Sequence, residues 1–186
     1  IGPLRLDQWT EGNLWDNTTL GTSITDGTEY NFFSNIAGKI KNDTNLAEDS
    51  KLPEGWEFVV MKMGLWFPPD WLFSNMLNVI ENAYIWFETG NSKTRREAPV
   101  WAWPSGLGIS GEYAQDATAG GPIYKHVAQL GAPSRGAVAD LLVPIRIVNR
   151  LSFKATLRFE ITTTLTDSGT REVYFVLDGF VKRPIM

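Results

Sequence analysis

The segment 153–165 constrains the fold of this chain most, because apolar and polar residues alternate along its whole length. Phe, Ala, Leu and Ile occupy most positions of one parity, and Lys, Thr, Arg and Glu occupy the other. This period of two is typical of a β-strand with one face in a core and the other in water. A turn-like segment with Gly169 follows, and 171–181 is again rich in Val, Tyr and Phe. We therefore predict an antiparallel hairpin of two long strands.

Other segments are also typical of strands. They are 28–34, 56–67, 83–89 and 141–148. Segment 56–67 is apolar at both parities, which predicts a strand covered on both sides. Pro144 predicts an edge or bulged position for the strand that contains it. Asp70 is a candidate N-cap for a short helix through about Glu81, where apolar residues recur at helical spacing.

The segment 98–139 has no clear period and is rich in Gly, Ala and Pro. A stretch of this kind is normally functional, oligomer-forming or packed as an elaborate loop. The start of the chain is predicted to be an irregular arm, so we divide the chain into an arm, 1–27, and one domain, 28–186. The predicted fold class is all-β: a single jelly-roll or Greek-key β-sandwich of about eight strands, with one short helix and long loops.

The composition excludes several kinds of site. The chain has no cysteine and a single histidine, His126, so disulfides, thiolate zinc sites and a two-histidine metal site within one chain are excluded. A formal net charge of -4 is too mild to indicate a nucleic-acid partner. No apolar run reaches the length of about 18 residues that a membrane-spanning helix needs. The basic cluster 93–96 is best explained as a solvated loop.

Two motifs for chemistry lack the context that they need. The segment 106–111 matches G-x-G-x-x-G, but no strand–helix unit surrounds it. His126, Ser134 and Asp140 supply the residue types of a hydrolase triad, but no G-x-S-x-G turn surrounds any serine. We expect no catalytic residue, no cofactor and no metal.

A glycoside-hydrolase pair of carboxylates stays open as an alternative, because the separation of such a pair is spatial rather than sequential. The candidates near aromatic residues are Glu57, Glu88, Glu112 and Asp116. A second alternative is a carbohydrate-binding, lectin-like sandwich, since the chain has 8 Trp. Trp101 and Trp103 share a parity beside a Pro/Gly loop and are the best pair for a binding face. Tryptophan in strands more often serves a core or an interface.

The order of features along the chain resembles that of a known protein family. The features are Phe32–Phe33, 43–46, 51–55 leading into 56–60, 83–90, the loops 98–99 and 106–108, 141–147 and the closing 176–184. This pattern is similar to the single jelly-roll major capsid proteins of tailless icosahedral bacterial viruses, whose sheets stand upright on the capsid. The resemblance covers most of 28–184 and rests on strands and turns.

The resemblance implies a structural capsid protein and no enzyme. It implies self-assembly into capsomers that form an icosahedral shell around the genome, in a virion made in the host cytoplasm. The implied partners are other copies of the chain, other capsid proteins and, indirectly, an internal membrane or the genome. No small-molecule substrate is expected.

An assembling sandwich must bury apolar side chains against its neighbours. We expect subunit contacts from segments that carry apolar residues without a periodic partner inside the domain, namely the arm 1–27 and the loop 114–136. The candidate interface residues are Trp101, Trp103, Tyr113, Ile123, Tyr124, Leu14 and Trp15.

Overall fold

A computed structural model describes residues 9–68, 71–90, 93–102, 109–116, 123–130, 140–166 and 171–184. The strands of this part are β1 Trp9–Thr19, β2 Ser23–Ile24, β3 Glu29–Phe32, β4 Glu57–Trp66, β5 Ala83–Thr89, β6 Lys93–Pro99, β7 Ile109–Asp116, β8 Ile123–Leu130, β9 Asp140–Val148, β10 Phe153–Phe159, β11 Thr163–Thr164 and β12 Glu172–Lys182. Its helices are α1 Phe73–Asn82 and a short 3-10 helix, Val100–Ala102.

Eight of these strands form two antiparallel four-stranded sheets. The first sheet has the order β1-β12-β4-β9, and the second has the order β3-β10-β5-β6. Counted along the chain, the first of the eight strands pairs with the last, the second with the seventh, the third with the sixth and the fourth with the fifth. This nested pairing is a long hairpin wound around a core, which is the topology of a jelly roll. The predicted all-β sandwich is confirmed.

The winding separates the connections into two ends of the sandwich. At one end, here called the helix end, α1 lies between β4 and β5, and β2 pairs with β11. The side chain of Asn75 on α1 accepts a hydrogen bond from the backbone N–H of Thr166 at 2.9 Å. At the other end, the turn end, Phe153 N donates to Ser50 O at 2.9 Å and Gly90 N donates to Ser152 O at 2.6 Å. The strands β7 and β8 pair with each other as a ribbon inserted between β6 and β9.

The core between the two sheets is rich in phenylalanine. The fully buried phenylalanines are Phe32, Phe33, Phe58, Phe87, Phe153, Phe159 and Phe175. The rings of Phe87 and Phe175, from opposite sheets, stack with centroids 6.2 Å apart. Burying a side chain of this size contributes about 2 kcal/mol, so this cluster is a main source of cohesion between the sheets.

A β-bulge explains why β4 is apolar at both parities. Gly179 pairs with Val60 and Asp178 pairs with Lys62, so Met61 has no partner on β12. Phe58 and Val60 face the core before the bulge, and Met63 and Leu65 face it after the bulge. Apolar residues occur at both parities of β4 because the inward-facing positions change parity at the bulge. This change explains the pattern better than the burial of both faces of the strand does. A Cβ atom on Gly179 would lie 1.9 Å from the carbonyl oxygen of Val59, so the bulge requires glycine there.

Each of the predicted strands is present. They are β3, β4, β5, β9, β10 and β12, and the predicted short helix is α1. β9 is an edge strand, and its register with β4 shifts across the segment that contains Pro144, as predicted. The helix begins after Leu72 without a side-chain cap, and Asp70 lies outside the described residues.

The predicted C-terminal hairpin is wrong. β10 belongs to the second sheet and β12 to the first. The chain leaves β10 after Phe159, and Glu160 N donates to Asn82 O at 3.0 Å before β11 begins. Alternation identifies the two faces of a strand, but it does not identify the neighbour to which the strand bonds.

Two further regions differ from the prediction. Within the segment expected to be an irregular arm, β1 pairs with β12 from Trp9↔Lys182 to Thr19↔Glu172. Its alternation is weak because Gly12 and Asp16 occupy positions that face inward. Within 98–139, where the sequence shows no clear elements, β7 and β8 form their ribbon.

Candidate interaction surface

The outer face of the first sheet carries large, partly exposed apolar side chains. Trp15 on β1 lies beside Val176 on β12, and Phe180 lies beside Val59 on β4. The rings of Trp66 and Tyr174 meet edge to face, with centroids 5.0 Å apart. Charged residues such as Lys62 and Asp178 lie among them. A face of this composition is suited to contact with another surface.

The outer face of the second sheet is dominated by ion pairs and hydrogen bonds. Lys154 Nζ lies 3.1 Å from Glu88 Oε2. Arg158 lies 3.8 Å from Glu29 and 3.1 Å from Glu160. The two pairs of Arg158 are exposed, as is typical of a solvated surface, whereas the Glu88 side chain is only 12% exposed.

On the same face, the Tyr84 hydroxyl donates to Glu97 Oε1 at 2.6 Å. This hydrogen bond to a carboxylate, with a smaller effect of burial, raises the pKa of Tyr84 to about 12. The phenol is therefore neutral and hydrogen-bonded at physiological pH.

The edge strand β9 exposes two aliphatic side chains in succession. Leu142 is 100% exposed and Val143 is 77% exposed. They lie where β9 departs from β4, between the pairs Val60↔Ile145 and Lys62↔Asp140. Exposed apolar side chains on an edge strand favour association, and most proteins avoid them.

The opposite edge of the first sheet is covered by the chain itself. Asn45 bonds to the edge of β1 as a neighbouring strand would: its Oδ1 accepts from Trp15 N at 3.0 Å, and its Nδ2 donates to Asn13 O at 2.7 Å. Thr44 donates to Trp15 O at 3.0 Å. This part of β1 is therefore not open to a further strand.

A buried ion pair anchors this covering segment. Asp16 is fully buried, and its carboxylate lies 2.8 Å from Lys39 Nζ and accepts from Phe33 N at 2.5 Å. Phe33 has a positive φ of 68°, so the carboxylate holds a backbone conformation that is rare for this residue type. Burial raises the pKa of Asp16, and the contacts with Lys39 and Phe33 oppose that effect.

The helix end also exposes apolar side chains. Trp101 on the 3-10 helix is 68% exposed, Ile161 is 57% exposed and Leu77 on α1 is 36% exposed. The core between the sheets is complete without these residues. They are therefore candidates for contact with another molecule.

The predicted interface residues have different places in the structure. Trp101 is exposed, Trp15 is partly exposed on the outer face of the first sheet, and Leu14 is buried in the core at 5% exposure. Trp103 lies outside the described residues. The backbones of the remaining three lie on the ribbon, at the pairs Tyr113↔His126, Gln115↔Tyr124 and Asp116↔Ile123. A contact between any of these seven residues and another subunit stays a prediction.

Sequence reasoning missed Leu142, Val143 and Ile161. A signal for the first two was available, because they directly precede Pro144 in a run that was expected to be an edge strand. Ile161 was assigned to the core by its parity in 153–165. It is exposed because β10 ends two residues earlier, at Phe159.

Two of the carboxylates considered for chemistry bind neighbouring cations. Glu57 accepts a hydrogen bond from Arg146 Nε at 2.9 Å, and Glu88 forms an ion pair with Lys154.

The other residues considered for chemistry lie on different elements. Glu112 and Asp116 lie on β7, His126 lies on β8, and Asp140 begins β9, while Ser134 lies outside the described residues. The first three residues of the G-x-G-x-x-G motif lie outside as well, and its last three residues belong to the strand Ile109–Asp116. The basic cluster lies on β6, the edge strand of the second sheet.

The described part of the chain shows neither a metal-binding cluster nor a membrane-spanning helix. That part holds no group of three or more His, Cys, Asp or Glu side chains placed to bind a metal ion. It also holds no helix with the length and hydropathy needed to cross a membrane. None of the protein-family models, curated proteins or solved structures compared with this chain gives a significant match.

Proposed function

We propose that this chain is a structural subunit that assembles with copies of itself into the capsid of an icosahedral virus. The observation that carries the proposal is the exposure of large apolar side chains on a jelly roll whose core is already complete. Trp101, Leu142 and Val143 are the most exposed of them. Contact with neighbouring subunits would remove these side chains from water.

The distribution of surface chemistry supports the same proposal. The outer face of the first sheet carries Trp15, Trp66, Tyr174 and Phe180, besides the Glu57–Arg146 ion pair, whereas that of the second sheet carries Tyr84 and Trp86 among its ion pairs. The larger number of aromatic side chains makes the first sheet the better candidate for contact. Jelly rolls of this topology are found in viral capsids, but also in lectins and cupins, so the fold alone does not decide among them. The order of sequence features favours a capsid protein.

The mass distribution of the purified chain over a concentration series tests the proposal. Native mass spectrometry, light scattering and negative-stain imaging should detect discrete oligomers or shells that grow with concentration. A chain that stays monomeric at every concentration, with or without added salt, would contradict the proposal.

Matched tryptophan variants locate the contact. We expect W101S and W15S each to weaken self-association about tenfold, since a buried interface tryptophan often contributes more than 1 kcal/mol. W86S is the control, because Trp86 is a partly exposed tryptophan on the outer face of the second sheet. Equal effects of all three variants would contradict the assignment of the contact to the first sheet and the helix end. Circular dichroism checks that each variant is folded.

A further inference from the structure

A cleft lies beside β1, between that strand, the segment 41–47 and the end of β12. Its volume is about 530 Å³. A volume in this range is typical of small-molecule sites. Leu14, Leu46, Phe58 and Val181 line it, and all four belong to the hydrophobic core. Phe58 is fully buried and the other three are at most 9% exposed, so these four form the base of the cleft. The partly exposed apolar side chains of the lining are Trp15 and Trp56, which a ligand can contact directly.

Two cations stand at the mouth of this cleft. Lys41 and Arg183 line it, both are exposed, and no carboxylate in the described part of the chain pairs with either. The described lining contains no acidic residue, although the whole chain has a formal net charge of -4. The guanidinium carbon of Arg183 lies 4.7 Å from the centroid of the Trp56 ring, which holds this cation over an aromatic wall.

The neutral polar side chains of segment 41–47 that line the cleft are already used inside the protein. Asn45 bonds through both its amide oxygen and its amide nitrogen to the backbone of β1. Thr44 donates to Trp15 O and accepts from Leu46 N. A sugar needs several fixed hydrogen-bond donors and acceptors for its hydroxyl groups, and segment 41–47 has few neutral polar side chains left to supply them. An apolar body with one anionic group matches what the cleft does offer.

We propose that this cleft binds a small amphiphilic anion, with an aliphatic or aromatic body against Trp15 and Trp56 and a carboxylate or phosphate between Lys41 and Arg183. The proposed assembly is not a premise of this inference, because the cleft lies within one chain. Trp15 belongs both to the lining of the cleft and to the outer face of the first sheet, so ligand binding is tested with Lys41, Ala47 and Arg183 and self-association with Trp101.

Isothermal titration with four probes tests the chemistry of the ligand. The probes are octanoate, octyl phosphate, 1-octanol and inorganic phosphate. We expect the two amphiphilic anions to bind at least about tenfold more tightly than octanol, which lacks the charge, since hydrogen bonds between charged groups are stronger than those to a neutral hydroxyl. Inorganic phosphate should bind more weakly still, because it lacks the apolar body.

Variants of the chain test the location. We expect R183Q and K41Q each to weaken octanoate binding about five- to tenfold while leaving octanol binding unchanged. A47W places a large side chain in the lining at an exposed position and should abolish binding of both. R150Q is the matched control, because Arg150 is an exposed arginine outside the cleft.

Several outcomes would overturn the inference. They are equal affinities for octanoate and octanol, equal affinities for octyl phosphate and inorganic phosphate, no octanoate binding at millimolar concentration, and a loss with R150Q as large as that with R183Q. Binding of maltotriose without binding of octanoate would instead identify the cleft as a sugar site. Thermal unfolding of each variant checks that a loss of binding is not a loss of the fold.

Discussion

The two sheets of this jelly roll share one core but present different outer faces. The first sheet places Trp15, Trp66 and Phe180 on its outer face, whereas the second pairs Lys154 with Glu88 and Arg158 with Glu29. The inner faces are alike because both must exclude water. The outer faces are free to differ, so their difference carries the information about function.

The strongest test of this comparison removes the bulge that shapes the outer face of the first sheet. G179A should lower the free energy of unfolding by about 3 kcal/mol or more, because the new Cβ would displace the backbone of β4. Urea denaturation measures the effect. G12A is the control: its nearest contact is the side chain of Val181 at 3.1 Å, which can adjust, so we expect a cost below about 1 kcal/mol. Similar costs for both variants would mean that the bulge is not a rigid requirement.

A second test concerns the covered edge of the first sheet. D16A should cost about 3 kcal/mol, because it leaves Lys39 and the backbone N–H of Phe33 without their buried acceptor. D16N, which keeps an acceptor, should cost less. Chemical denaturation measures the free energy of unfolding of both variants. Equal losses for D16A and D16N would contradict a stabilising role for the hydrogen-bond acceptor that D16N retains.

The pH dependence of the same site has a definite sign. Burial raises the pKa of Asp16 above its ordinary value of 3.8. Between that value and the raised pKa, the folded state binds more protons than the unfolded state, so this group adds stability as the pH falls. The free energy of unfolding of the wild type should therefore rise relative to that of D16N as the pH is lowered from 7 toward about 4. A constant difference between the two proteins would contradict the raised pKa.

A third test concerns the ion-paired face of the second sheet. E29Q removes the pair with Arg158, in which both side chains are more than 40% exposed, and should change the free energy of unfolding by less than about 1 kcal/mol, since exposed salt bridges contribute little. The effect should shrink further in high salt. Denaturation at low and high ionic strength measures it. A larger loss that is independent of salt would mean that this face is not simply solvated.

The smallest expected effect comes from Tyr84 on the same face. Y84F removes the phenol whose pKa is raised to about 12 by its hydrogen bond to Glu97. In a spectrophotometric titration of the folded protein, the variant should lack a tyrosine that ionises near that pH, with little change in stability. Loss of a tyrosine that ionises near pH 10 instead would contradict the hydrogen bond in solution.

The sequence predicted the elements of the fold better than their pairing. The strand β5 begins and ends where its pattern predicts, at Ala83 and Thr89, because apolar residues of one parity are buried along its whole length. β1 was missed because Gly12 and Asp16 interrupt its alternation. Trp101 could be predicted as a surface candidate from its neighbours, whereas the exposure of Ile161 depends on where β10 ends.

The sequence by itself determined that the chain forms a β-sandwich with a short helix, since period-two alternation and turn residues act locally. Only the tertiary structure decided that β10 and β12 lie in opposite sheets, and that the bulge at Met61 keeps one face of β4 in the core. The physical reason is that alternation specifies which side of a strand is buried, whereas its neighbours are chosen by hydrogen bonds between residues far apart in the chain. The same long-range pairing decides which apolar side chains, such as Leu142 and Trp101, remain outside the core and available to a partner.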